Sequence, residues 1–246
     1  MKNNPQNFYK SPTQCVGLQR TESYLKTKVR NNYLISSYLG AALPIIKTIQ
    51  NLKLSGDSIN RIDAVVSGSL NFIFNNYDGK RTFAEVVKQA QEEGYTEPNP
   101  RIDLSGLDVI RKILILAREA GYRKDIEEVQ FESFLPKKAM EVESVADFFE
   151  VLKEEELFFQ AMLKKAKDKG AKLKVVAQLL DGNLKVSLQE VTSESPFFNL
   201  DGKDNIVALF TDMYPTEPLI VKGAGAGARV TASGVFSDLL YVANQK

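Results

Sequence analysis

The sequence predicts an α+β fold, a mixed sheet with flanking helices, and three observations carry that prediction. Helical and strand-like periodicities are interspersed without the regular alternation of a doubly wound sheet. Two strand-like runs, LKVVAQLL and LKVSLQEV, are joined by Asp181-Gly182-Asn183, the clearest hairpin signal in the chain. No internal repeat and no low-complexity linker divides the sequence into an array or separate modules.

The elements follow in order. Residues 1–32 are polar with little periodicity and read as a partly ordered leader, with the folded domain expected over 33–246. Pro44 can start a helix through PIIKTIQNLKL, and Gly56 stands just past its end. Arg61–Ser67 reads as a strand, and SLNFIFNNY as a short apolar helix. Thr82 is a candidate N-cap for FAEVVKQAQEEG, with Glu85 completing a capping box and Gly94 ending the helix. The two prolines of YTEPNPRID exclude helix there, and a long helix is expected from Leu104 to Gly121. Asp147 to Lys169 is helical and charged, as one helix or two. After the hairpin come strands at NIVALFT and PLIVK, a glycine-rich turn, and a last helix through VTASGVFSDLLYV.

Composition narrows the functional classes. The net charge of +1 offers no basic field for nucleic acid. No apolar run approaches the roughly 18 residues needed to span a bilayer, and the polar start lacks a signal-peptide core. The single cysteine, Cys15, excludes an internal disulfide and fits a reducing compartment, so the cytoplasm is expected. There is no histidine, which removes Ser-His-Asp, Cys-His and His-zinc sites. A general acid or base must be Lys, Asp, Glu, Tyr or Cys15.

That leaves the helix after YTEPNPRID as the place to look. At about 100° per residue, Leu104, Leu107, Val109, Ile110, Ile113, Leu114, Ile115, Leu116 and Ala117 surround nearly its whole circumference, so it should be buried. Asp108 and Lys112 form one of its two polar stripes, four residues apart with the acid first, a favourable order for an ion pair. A structural salt bridge is the simple reading; a functional one gains weight because desolvating both charges is costly. The loop before the helix adds Glu97, Asn99, Arg101 and Asp103, with Asp103 either a helix N-cap or a site residue. Three carboxylates and a lysine near one pocket suit a small substrate carrying an amine and a hydroxyl.

The stretch GYTEPNPRIDLSGLDVIRK, Gly94–Lys112, resembles the pattern GYTEPDPRDDLSGxDxARK of homoserine dehydrogenases. GAALPIIKTIQNLKLSGD (40–57), VSGSLNFIF (66–74) and EPLIVKGAGAGARVTASGVFSDLL (217–240) resemble further segments of that family in the same order. The resemblance implies an NAD- or NADP-dependent interconversion of aspartate semialdehyde and homoserine by a homodimer, the strands around 173–192 being a plausible interface. It implies Lys112 as the catalytic lysine with Asp108 beside it, and Glu97, Asp103, Gly94, Tyr95 and Thr96 at the substrate. It also implies a monovalent cation on backbone carbonyls near Leu39 and Ala41, although Ser36–Pro44 departs from the usual cation segment. Asn99 and Ile102 stand where the family has acids, departures expected to alter the loop more than the chemistry.

The segment 223–228, GAGAGA, satisfies GxGxxA between an expected strand and a helix. About 20 residues follow it, too few for the rest of a dinucleotide-binding unit. Two readings stay open beside that one: a close-packed turn, or a loop of Gly223, Ala224, Gly225 and Gly227 touching the cofactor from the side opposite its main binding domain, as the resemblance implies. Residues 1–32 contain no GxGxxG, so they are at most a remnant of a cofactor domain, and the chain alone is expected to have little dehydrogenase activity. A non-catalytic amino-acid-binding or dimerisation module of the same ancestry is the alternative.

Overall fold

A computed structural model describes residues 39–243. Its centre is a six-stranded sheet in the order β2-β4-β3-β1-β5-β6. The strands are β1 (Ile59–Val65), β2 (Val129–Glu132), β3 (Lys172–Leu180), β4 (Asn183–Val191), β5 (Asp204–Thr211) and β6 (Leu219–Ala224). All neighbours run antiparallel except β2 with β4, so the sheet is mixed as expected. The β3–β4 hairpin turns on Asp181 and Gly182, both at positive φ, the pair that a two-residue type I′ turn requires.

Nine helices flank the sheet: α1 (Ile45–Leu54), α2 (Gly68–Asn76), α3 (Phe83–Glu92), α4 (Arg101–Leu104), α5 (Leu107–Ala120), α6 (Lys137–Glu141), α7 (Val145–Glu154), α8 (Glu156–Asp168) and α9 (Ala228–Ala243) among the described residues. The main core forms where Ile62, Ala64, Val175, Ala177, Leu179, Val207 and Leu209 of one sheet face meet helix residues such as Ile49, Leu70, Phe83, Ile113, Leu116 and Phe148. A smaller core on the other face joins Val65, Val176, Ile206 and Ala208 to Phe197 and Leu200 of the β4–β5 connection. Thr82 and Glu85 make the expected capping box reciprocally.

The expected helix over 104–121 needs correction. Pro100, with φ −60°, starts the short α4 at Arg101, so the end of YTEPNPRID is helical after all. Gly106 then breaks the path at φ +70° and α5 begins at Leu107. A Cβ at Gly106 would stand 2.6 Å from the Phe131 ring, so this position needs glycine for both its backbone and its space. A 3-10 turn over Ile126–Glu128, the four-residue β2 and the five-residue α6 carry no periodicity of their own and are absent from the sequence reading.

Candidate active site

The site lies where the central strand stops. β1 ends at Val65, and Ser67 caps the next helix, its hydroxyl accepting from Leu70 N–H at 3.3 Å. Between them the Val66 carbonyl accepts a 2.7 Å hydrogen bond from Lys112 Nζ. Asp108 Oδ2 stands 2.7 Å from the same ammonium. The lysine side chain is 17% exposed and the aspartate 42%, so the cation is the more buried partner of the pair. Apart from the exposed Leu107, α5 is buried or half-buried, as its apolar circumference requires.

The second cluster is built on Asp103. Ser69 donates to its Oδ1 at 2.9 Å and the Glu97 backbone N–H to its Oδ2 at 2.8 Å. Asp103 therefore does not cap α5; it ties the loop to the first turn of α2. Burial pushes its carboxyl pKa up, and the negative charges of Glu97 and Asp108 push the same way. The two hydrogen bonds oppose that shift by favouring the charged form.

The remaining expected residues lie in the turn and loop between α3 and α4. Gly94, at φ +73°, turns the chain out of α3, and Tyr95 and Thr96 N–H both close on the Ala90 carbonyl. Tyr95 stacks on Phe72 with ring centroids 4.1 Å apart, and Thr96 is buried with its hydroxyl donating to the Glu97 carbonyl. Glu97 itself is exposed. Asn99, standing where the resemblance has an acid, accepts from Arg101 N–H and Nε. Arg101 then donates to the Val142 and Glu143 carbonyls, and so anchors the loop to the connection after α6. Ile102, the other departure, is exposed. The residues missing from the sequence reading of the site are Val66 and Ser69; Arg101 is among the expected loop residues, and the structure gives it an anchoring role. Val66 and Ser69 lie in the VSGSLNFIF segment, but nothing in spacing joins Ser69 to an aspartate 34 residues on.

The glycine-rich segment is not a Rossmann fingerprint. Gly223 and Ala224 belong to β6, an antiparallel edge strand, and α9 follows without a parallel strand among the described residues. Close packing is its visible property. A Cβ at Gly225 would stand 2.0 Å from Asn205 Nδ2, and one at Gly223 would stand 3.0 Å from Leu43 Cδ2. Gly227 sits at φ +129° with open space around its Cβ position. Leu39 and Ala41 are buried in a turn with positive φ at Gly40 and Ala41. A Cβ at Gly234 of α9 would lie 2.9 Å from the Ala41 carbonyl, so the last helix sits directly on this turn. No group of three or more His, Cys, Asp or Glu suited to a metal occurs among the described residues.

Together these features define a mixed-sheet domain with a lysine–carboxylate site at the end of its central strand. The homoserine dehydrogenase family profile matches residues 44–240. A chloroplastic bifunctional aspartokinase/homoserine dehydrogenase of Arabidopsis thaliana is 42% identical over 221 residues, covering 89% of this chain and 24% of that protein. Among solved structures, a Candida auris protein of unknown function superposes with a TM-score of 0.80 at 36% identity, covering 85% of this chain and 60% of that one. A hyperthermophilic archaeal homoserine dehydrogenase in complex with NADPH superposes with a TM-score of 0.68 at 25% identity, covering 92% of this chain and 60% of that one. The chain belongs to the homoserine dehydrogenase family, a family of NAD(P)-dependent oxidoreductases. It spans about a quarter of the length of the bifunctional relative and about three fifths of the solved ones.

Proposed function

We propose that this domain binds L-homoserine and L-aspartate 4-semialdehyde and supplies the proton-transfer half of their NAD(P)-dependent interconversion. The observation that carries the reading is the Lys112 ammonium, held inside by the Val66 carbonyl and Asp108, beside a second carboxylate cluster on Asp103. An ammonium so fixed donates along one direction. Lys112 gives its proton to the aldehyde oxygen as that oxygen gains charge and takes it back from the hydroxyl in the reverse reaction. Asp108 holds the lysine in place between turnovers. Asp103 and Glu97 hold the substrate's amine and hydroxyl, while Tyr95 and Thr96 close one wall of the site.

The cofactor, when bound, supplies or accepts the hydride. Gly227, with open space at its Cβ position, lets the backbone approach it closely, Gly223, Ala224 and Gly225 continue that surface, and the residues for its phosphates and ribose need a Rossmann unit, which the described mixed sheet is not. We therefore place those residues on a separate domain, with 33–246 as the catalytic and dimerisation unit and 1–32 outside it. The apolar side of α9 supports this division: Phe236 and Leu239 are 62% and 63% exposed, while Gly234 and Asp238 are buried. In this reading NADP or NAD serves as cofactor, and the carbonyls of Leu39 and Ala41 are available to a monovalent cation. The open half of the sheet, bearing Arg61, Asp63, Gln178 and Gln189, is the face for a second copy. No described helix is long and apolar enough to cross a membrane, and the reducing compartment inferred from Cys15 supports the cytoplasm.

Calorimetric titration with homoserine tests the reading. The chain binds it, and Lys112→Ala abolishes turnover whenever a cofactor domain completes the enzyme, while the melting temperature changes little. Substantial turnover in that variant would reduce Lys112 to a structural ion pair, and reduction of aspartate semialdehyde by the chain alone at ordinary enzyme rates would overturn the division of labour.

A further inference from the structure

Among the described residues, the proposed chemistry leaves one buried cation unused. Lys174 of β3 is 1% exposed. Its ammonium donates to Asn71 Oδ1 at 2.9 Å, Asn75 Oδ1 at 2.5 Å and the Leu200 carbonyl at 2.6 Å. Three donors meet three neutral acceptors, with no carboxylate among them. The asparagines stand four apart, so both lie on one side of α2. Their amide N–H groups run onward: Asn71 donates to the Gly202 and Asp204 carbonyls, and Asn75 to the Leu200 and Gly202 carbonyls.

This hub occupies a particular place. β1 separates β3 from β5 through most of the sheet, but its pairing with β3 ends at Ala64↔Ala177 and with β5 at Val65↔Ile206. Beyond that, Lys174, the two asparagines and residues 200–204 fill the space between strands that no longer have a strand between them. The same helix, α2, begins next to the Val66 carbonyl that holds Lys112 and carries the Ser69 hydroxyl that holds Asp103. One side of α2 is thus pinned to Lys174 while its start sets both halves of the site.

We propose that Lys174 is a positioning residue of the substrate site, acting through Asn71 and Asn75 to fix the helix start that orients Lys112 and Asp103. The proposal rests on the substrate-site reading above. A hydrophobic residue of the same length would fill the space but leave the two asparagine oxygens without their lysine donor and the Leu200 carbonyl with the Asn75 amide alone, and buried acceptors so orphaned are costly. The hub is also sensitive to pH. Burial pulls the Lys174 pKa down to about 8; Lys172 and Lys222 push it the same way, and Asp201 is the one carboxylate opposing them. Asp204 enters through its backbone carbonyl and Gln189 stands opposite on β4, both uncharged in this role. Above that pH the amine keeps two hydrogens for three acceptors, and one strut of the hub is lost.

The test uses the full chain, Lys174→Met and Asn75→Asp, read by amide hydrogen exchange of residues 66–71 relative to α3 and by calorimetric binding of homoserine. In the wild type, exchange of 66–71, corrected for intrinsic base catalysis, rises relative to α3 between pH 7 and 9. Asn75→Asp gives the lysine a carboxylate and moves that rise to higher pH. Lys174→Met shows faster exchange at pH 7 and at least tenfold weaker homoserine binding. Exchange of 66–71 that does not respond to pH in the wild type overturns the proposal, and so does a folded Lys174→Met within twofold of wild type in exchange. If Lys174→Met does not fold, the wild type and Asn75→Asp decide alone. Exchange that behaves as described in a chain that binds no homoserine leaves the hub standing and overturns the substrate assignment instead.

Discussion

Removing the hydroxyl of Ser69 tests the hydrogen bond that holds Asp103, together with a longer 3.1 Å bond between the Ser67 and Ser69 hydroxyls. Ser69→Ala deletes the 2.9 Å bond to Asp103 Oδ1 and leaves the 2.8 Å bond from Glu97 N–H in place. A hydrogen bond to a charged group contributes about 1.5–3 kcal/mol. Asp103 is only partly buried and keeps one donor, so the lower end, about 1.5 kcal/mol, is the expected loss at pH 7. The sign with pH follows from which form the hydroxyl favours. Ser69 donates to the ionised carboxylate, so it opposes the upward push of burial, and its removal moves the Asp103 pKa further up. The stabilisation is therefore present where Asp103 is charged and fades as pH falls through its raised pKa. Urea unfolding of wild type and variant across the acid range measures the difference directly. A variant as stable as wild type at pH 7, or one whose loss is undiminished in acid, would refute the assignment of this bond to an ionised Asp103.

Two further outcomes follow from close approaches. Gly106→Ala combines a left-handed backbone, about 1–2 kcal/mol for an L-residue, with a 2.6 Å contact on the Phe131 ring. The variant should lose about 2–5 kcal/mol by chemical denaturation once about 1–3 kcal/mol for overpacking is added; a loss below about 1 kcal/mol would mean that α4 and α5 can merge into one helix. Gly225→Ala drives a Cβ to within 2.0 Å of Asn205 Nδ2, so it should destabilise the chain unless Asn205→Ala accompanies it, and a double-mutant cycle showing no coupling would separate the two residues.

Local chemistry made part of this fold legible. Thr82 and Glu85 announce their capping box because the partners are three residues apart, and Asp181-Gly182 announces a hairpin because few residues tolerate its backbone. β2 is silent: four residues, VQFE, pair in parallel with β4 more than fifty positions later, and only tertiary packing selects that partner. The break at Gly106 is hidden because helix-forming residues flank it on both sides, and the reason for the break, the Phe131 ring, is 25 positions away. The site divides in the same way. Asp108 and Lys112 are readable as one helical stripe, and Asp103 and Glu97 through a family pattern. The groups that orient them come from elsewhere in the chain, the Val66 carbonyl from just past the end of β1 and the Ser69 hydroxyl from the first turn of α2. Lys174 was invisible, since a lysine in a strand ordinarily reads as a solvated position.

The early end of β1 also determines how the site should fail under stress. A loop-borne site loses its geometry by local fraying long before the domain unfolds. Here the Val66 carbonyl extends the strand that both β3 and β5 clasp, in the middle of the sheet. Strands at such a position open only with the whole domain. While Lys174 keeps its proton, heat or denaturant should therefore find no intermediate in which the sheet survives and the Lys112 contact is gone, and the recognition surface should keep its shape until the domain itself gives way.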